Sequence, residues 1–265
     1  MRPEDNGRSV PAIVLAGGGA DPRLAEGLPN KSFLPVRGRA MVLRVADALR
    51  GCPAISRVVA VGPPALRGVL GAATTIIPEQ ETWTDNIAAA LESLQGEPRV
   101  LVIASDLPLL TSEVIERFLA RCDDGADFYF PLVPRTVIES RLPQAEKTYV
   151  RLPGRAVCGG CAVLVDPRIA GRLRVLAARA HAARRRRWML WAMFLGPVLL
   201  VRLALGLMTI PAGEARLFRL TGVRGRAIEL DAPELAFDVD DESDLRVAEA
   251  ALAPAGRPLA GVALS

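Results

Sequence analysis

Histidine is almost missing from this chain: among 265 residues there is one, His181, set between alanines and arginines. A Ser-His-Asp or Cys-His nucleophile has no partner to build with, and His181 is expected on a helix surface or interface. Cysteine is also sparse, with four residues and no disulfide framework. Cys158-Gly-Gly-Cys161 lacks the second ligand pair that a structural zinc site requires, so both thiols are read as packing residues. The start, MRPEDNGRSVPAIV, has neither the basic opening nor the apolar core of a secretory signal, and a cytoplasmic location is the expectation. Internal repeats and low-complexity linkers are absent, and the last dozen residues read as a loosely held tail. The net charge is only +4, with many arginines concentrated between Arg168 and Arg187. That pattern points to one basic surface, and no nucleic-acid partner is expected.

What is present is apolar residue, 51% of the chain, in short β-branched runs that alternate with segments of helical period. This is the pattern of an α/β protein: a three-layer α/β/α sandwich around a Rossmann-like, mostly parallel mixed sheet. Strands are expected at 12–16, 57–61, 74–77, 99–104, 127–133, 147–151, 161–165 and 235–239. Helices are expected at 40–50, 64–70, 85–95, 112–122, 167–187, 188–206, 212–220 and 242–252. A single domain spanning 1–265 accommodates them, with 167–222 as a helical, partly very apolar insertion.

The first strand breaks into Ala16-Gly17-Gly18-Gly19. At the carboxyl end of a central strand, glycines let backbone N–H groups approach a ligand closely, although such clusters also serve as plain tight turns. The spacing fits neither GxxxxGK[ST] nor GxGxxG, since Pro22 occupies the last glycine position of the latter. A nicotinamide-dependent oxidoreductase is disfavoured on that ground. Arg23 and Lys31 follow, two cations able to surround a triphosphate or simply to be solvated.

Two acidic strand ends complete the pattern. In VLVIASDLPLL, Ser105-Asp106 closes an apolar strand, and the next helix is capped by Thr111 or Ser112. Asp106 either supplies a hard oxygen ligand to a magnesium ion or closes the turn at Leu107-Pro108. In LAFDVDDESDL, Asp238 and Asp240 precede a helix whose first turn is acidic, with Asp241 and Asp244 as a capping pair.

LAGG, Arg23, Lys31, LPVRGRAM, SDLPLL and the DVDD strand end together resemble the nucleotidyltransferases of the MobA-like type, relatives of molybdenum-cofactor guanylyltransferase and of sugar-phosphate nucleotidylyltransferases. The resemblance implies transfer of a nucleotidyl group from an NTP to a phosphorylated or hydroxyl small-molecule acceptor, with pyrophosphate released. It implies that Lys31 and Arg23 are catalytic and that Leu15, Ala16, Gly17, Gly18, Gly19, Asn86 and Ser105 bind nucleotide, with Thr84 near the base. Asp106 and Asp240 would then hold Mg²⁺, with Asp238 as the alternative to Asp240. Lys147, Arg151, Gly159 and Gly160 would meet the acceptor. The loop before Lys31 is longer than the family's, Ala40 replaces a proline, and Cys161 stands where relatives often carry asparagine. These departures motivate a second reading, a catalytically silent nucleotide-binding or membrane-docking module on the same fold.

Residues 188–210, WMLWAMFLGPVLLVRLALGLMTI, are apolar over a length that could span a bilayer and follow Arg184–Arg187. A single crossing would place Asp106 and Asp240 on opposite sides of the membrane, where they could not share a metal. The stretch is therefore expected to bend at Gly196-Pro197 and to serve as a core element, a homodimer contact, or a peripheral membrane contact through 184–210.

Overall fold

The computed structural model describes residues 9–18, 27–172, 196 and 198–253. Gly19, Arg23, the arginine run 184–187 and residues 188–195 lie outside the described residues. The sheet is built on β1 (Val10–Leu15), whose six residues read VPAIVL and are buried along nearly their whole length. A strand apolar on both faces needs cover on both, and its side chains divide accordingly. Val10, Ala12 and Val14 join the core under α1 (Met41–Arg50) and α4 (Ser112–Leu119), while Ile13 packs with Ala90, Leu91 and Leu94 of the α3 (Trp83–Glu92) side. Three layers result.

Parallel strands flank β1 on either side: β4 (Ile55–Gly62) with β5 (Thr75–Pro78) beyond it, and β6 (Val100–Ala104). From β6 the sheet turns mixed, running through β10 (Ala162–Val165), β7 (Phe128–Pro134), β9 (Arg155–Gly159) and β8 (Val150–Leu152). A further strand, β11 (Gly225–Glu229), pairs in parallel with β7. A small hairpin of β2 (Pro35–Val36) and β3 (Arg39–Ala40) closes through Arg37 and Gly38, both at positive φ. The remaining helices are α2 (Leu66–Leu70), α5 (Arg135–Arg141), α6 (Ile210–Thr221) and α7 (Glu242–Ala251).

Several boundaries differ from the sequence expectation. Of the stretch expected as strand 147–151 only Val150 and Arg151 are in one, β8, which pairs antiparallel with an unexpected β9 across Pro153-Gly154, with Gly154 at φ 73°. No strand forms over 235–239. A 3-10 turn at Pro233–Leu235 leads into an irregular segment, tied to the sheet by the Val239 N–H donating to the Asp106 carbonyl at 3.1 Å. Helix α3 starts two residues earlier than the expected 85–95 and is capped by Thr82, whose side chain accepts from the Asp85 N–H.

Candidate active site

The carboxyl ends of β1 and β6 border a cleft of about 290 Å³, lined by Leu15, Gly17, Gly18, Asn86, Ser105, Asp106 and the segment Asn30–Ser32. Short polar side chains join its parts. Asn30 caps a 3-10 turn over Lys31–Phe33: its Oδ1 accepts the Ser32 N–H at 2.9 Å, and its Nδ2 donates to the Ala16 carbonyl at 2.8 Å. Ser32 Oγ lies 2.7 Å from Ser105 Oγ. The turn is thereby fixed to the ends of both strands, and Lys31 projects toward Asp106.

On the opposite wall the glycines touch a side chain that sequence reasoning did not single out. Glu79 Oε2 accepts the Gly18 N–H at 3.1 Å. A Cβ at Gly17 would lie 3.0 Å from Asn86 Nδ2 and 3.1 Å from that same oxygen, which leaves room only for hydrogen. Asn86 is buried, with Oδ1 accepting the Gln80 N–H at 2.6 Å.

Lys31 is the centre of an ion network. Its Nζ lies 2.6 Å from Asp106 Oδ2 and 2.7 Å from Asp240 Oδ1. Burial works against the ammonium, yet the two carboxylates prevail and hold its pKa above the ordinary lysine value. Burial likewise pushes Asp106 up, opposed by Lys31, while the Lys31 hydrogen bond draws Asp240 down. Asp238 completes the cluster, for oxygens of Asp106, Asp238 and Asp240 all lie within 4.8 Å of one another. Asp238 and Asp240, alternatives in the sequence reading, thus lie together beside Asp106. Phe237 and Val239 occupy the other face and are fully buried.

Residues 12–190 match the family described as the MobA-like NTP transferase domain. The chain belongs to that family. Among curated proteins it is similar to the 2-C-methyl-D-erythritol 4-phosphate cytidylyltransferase of Symbiobacterium thermophilum, 29% identical over 124 residues, 44% of this chain and 52% of that one. The protein of the same name from Neorickettsia sennetsu is 28% identical over 152 residues, 53% of this chain and 65% of its own. The chain thus spans between half and two thirds of the length of these curated relatives. A solved structure described as a hypothetical transferase from Thermus thermophilus superposes with a TM-score of 0.80 at 36% identity, covering 89% of this chain and 99% of that one.

The MobA-like match takes in Lys31 and Asp106 but ends before Asp238 and Asp240, which the fold returns to the same place. The helix start there is held twice: the Asp241 cap accepts from the Asp244 N–H at 2.9 Å, and Asp244 accepts from the N–H of Asp240, the residue before the cap, at 3.0 Å.

The residues assigned to the acceptor separate. Lys147 is nearly buried and donates to the Asp238 carbonyl at 2.6 Å and to its Oδ1 at 3.0 Å, with Asp244 Oδ1 at 3.6 Å. Burial opposes its charge, but Asp238 foremost raises its pKa. Arg151 is exposed on β8, away from the cleft, and Gly159 is exposed at the end of β9. Gly160 is a packing position, where a Cβ would meet Pro131 Cγ at 2.6 Å and the Leu235 carbonyl at 3.0 Å. Cys158 and Cys161 are free thiols, and burial pushes Cys161 up to about 12, far from reactive thiolate character. Asn30, Ser32 and Glu79 are the contributors that sequence reasoning missed. Asn30, a cap-type residue just before Lys31, was the one signal available.

Proposed function

We propose that this chain is a nucleotidyltransferase. An acceptor oxygen bonds to the α-phosphorus of an NTP, the bond to the β-phosphate bridging oxygen breaks, and pyrophosphate carries away the electron pair. The observation that supports this most is the Lys31 ammonium poised between Asp106 and Asp240 beside a glycine-walled cleft. A phosphate acceptor is already deprotonated, so the chain needs to supply position and charge rather than a general base. The backbone at Gly17 and Gly18 receives the nucleotide, Asn86 and Glu79 shape the wall beside it, and Lys31 meets the phosphates, with Arg23 as a second cation from the preceding loop.

The acidic cluster suits a divalent cation. Asp106 Oδ1 is buried, and no donor among the described residues reaches it. Asp106, Asp238, Asp240 and Asp244 against Lys31 and Lys147 leave a formal charge of −2. Asp106, Asp238 and Asp240 would hold Mg²⁺ through hard carboxylate oxygens, and when bound it supplies charge neutralisation for the phosphates. Lys147 would hold Asp238 in place beneath it.

The names of the curated relatives favour CTP as donor and a phosphorylated polyol or sugar as acceptor. The whole chain would act as one catalytic domain carrying 167–222 as an insertion. Four free cysteines suit a cytoplasmic setting. Pyrophosphate release from each of the four NTPs with Mg²⁺, over a panel of phosphorylated polyols and sugars, tests the reading. Release is expected with CTP. No release in any combination, together with no thermal shift by any Mg²⁺–NTP, would overturn it.

A further inference from the structure

Among the described residues every large apolar side chain that is strongly exposed falls within one short stretch: Val198, Val201, Leu205, Leu207, Phe218 and Leu220, with exposures from 43% to 69%. The stretch comprises a helical segment at 198–204 and helix α6. Its inward residues are already committed. Leu203, Met208, Ile210 and Leu217 face β7, β9 and β11 across a small apolar cavity. The outward set is therefore surplus to the core, and Val198, Val201 and Leu205 follow one another at the three- and four-residue spacing of a single helix stripe.

Cations accompany the stripe. Arg202, Arg216 and Arg219 line one groove of about 400 Å³ between the 198–204 helix and α6, with Val198 and Leu199 on one wall. The only acid in 198–222 is Glu214, and it is turned to the sheet, where its Oε1 accepts the Ala227 N–H at 2.8 Å. An apolar face with three arginines beside it has a specific complement: acyl chain under a layer of phosphate oxygens, which guanidinium groups bind as forks. A second copy would be a poor occupant, since a two-fold contact sets the same arginines against each other. No helix among the described residues is long and apolar enough to cross a bilayer.

We propose that the face formed by 198–220 docks on an anionic phospholipid surface, with the two helices lying in the headgroup plane and the arginine groove on the lipid phosphates. Each arginine brought to such a surface strengthens partitioning roughly fivefold at low salt. The proposal stands apart from nucleotidyl transfer, and its test uses no turnover measurement.

The test is flotation of the full chain with vesicles of equal parts phosphatidylcholine and phosphatidylglycerol, against vesicles of phosphatidylcholine alone. The chain is expected to float with the first, to stay behind with the second, and to be released as salt is raised. Val201→Glu/Leu205→Glu should abolish flotation. Arg202→Gln/Arg219→Gln, which keeps the apolar stripe, should weaken it by roughly 25-fold at low salt and supplies the result if the first variant does not fold. Absence of flotation with the mixed vesicles, or binding unchanged in the arginine variant, would overturn the proposal. So would a vesicle-free dimer, seen by sedimentation velocity, that the arginine variant leaves intact and Val201→Glu/Leu205→Glu dissociates.

Discussion

At the carboxyl edge of β1 and β6, charged groups are buried: Asp106 and Lys147 have little contact with water, and each is answered by an opposite charge within 3.0 Å. Around 198–220 the inversion runs the other way, with apolar side chains standing in water. Neither arrangement is what folding alone selects, because a buried charge costs desolvation and an exposed leucine forfeits its transfer free energy. The two regions differ in where the compensation lies. At the cleft it is internal and ionic; at 198–220 it awaits a surface. A departure from the ordinary inside-outside rule is thus informative according to what balances it.

Variants at three places put pressure on that contrast. Lys31→Ala should have the largest effect, lowering pyrophosphate release by ~10²- to 10³-fold if the ammonium acts on the reacting phosphates. It also strands the Asp106 carboxyl, so Lys31→Ala/Asp106→Asn should melt above the single variant while turnover stays lost; thermal melts beside the pyrophosphate assay check both halves. Next, Gly160→Ala should cost about 1–3 kcal/mol in urea unfolding, because its Cβ would overlap Pro131 and the Leu235 carbonyl that position the acidic segment. Gly159→Ala, with open space around it, is the control and should change little. The smallest effect is expected at the other region: Val201→Ser/Leu205→Ser should leave the urea midpoint within about 0.5 kcal/mol of the parent stability. A loss the size of a core truncation there would dissolve the contrast.

Much of the fold was legible because β1 and β6 are apolar throughout and α1 and α4 have clean helical period. Asp106 was legible as the polar end of such a strand. The segment after Leu235 misled for a physical reason: Phe237 and Val239 alternate with Asp238 and Asp240 as in a strand, but the alternation comes from an extended chain with one buried side and no ladder. That same geometry sends both aspartates to the cleft. Strand β11 escaped notice because it is five residues long and follows a helix whose left-handed Gly222 cap marks a stop without indicating what comes next. Lys147 was assigned to the acceptor, and its pairing with Asp238 had no local signal, because only the fold brings together residues 91 apart in sequence. Glu79 carries no local signal at all, being one of two acids in PEQETW with nothing to tell them apart.

Asn30 has a consequence for how this chain can diverge. Its amide ties the turn that carries Lys31 back to the Ala16 carbonyl, 14 residues earlier, so the residues between are a bight moored at both ends whatever path they take. Closing such a bight grows only slowly more costly with its length, by about 0.6 kcal/mol for each doubling. The reach of the loop and the placement of the lysine are therefore separate variables. Residues can be gained or lost between the moorings while the Lys31 ammonium keeps its place between Asp106 and Asp240.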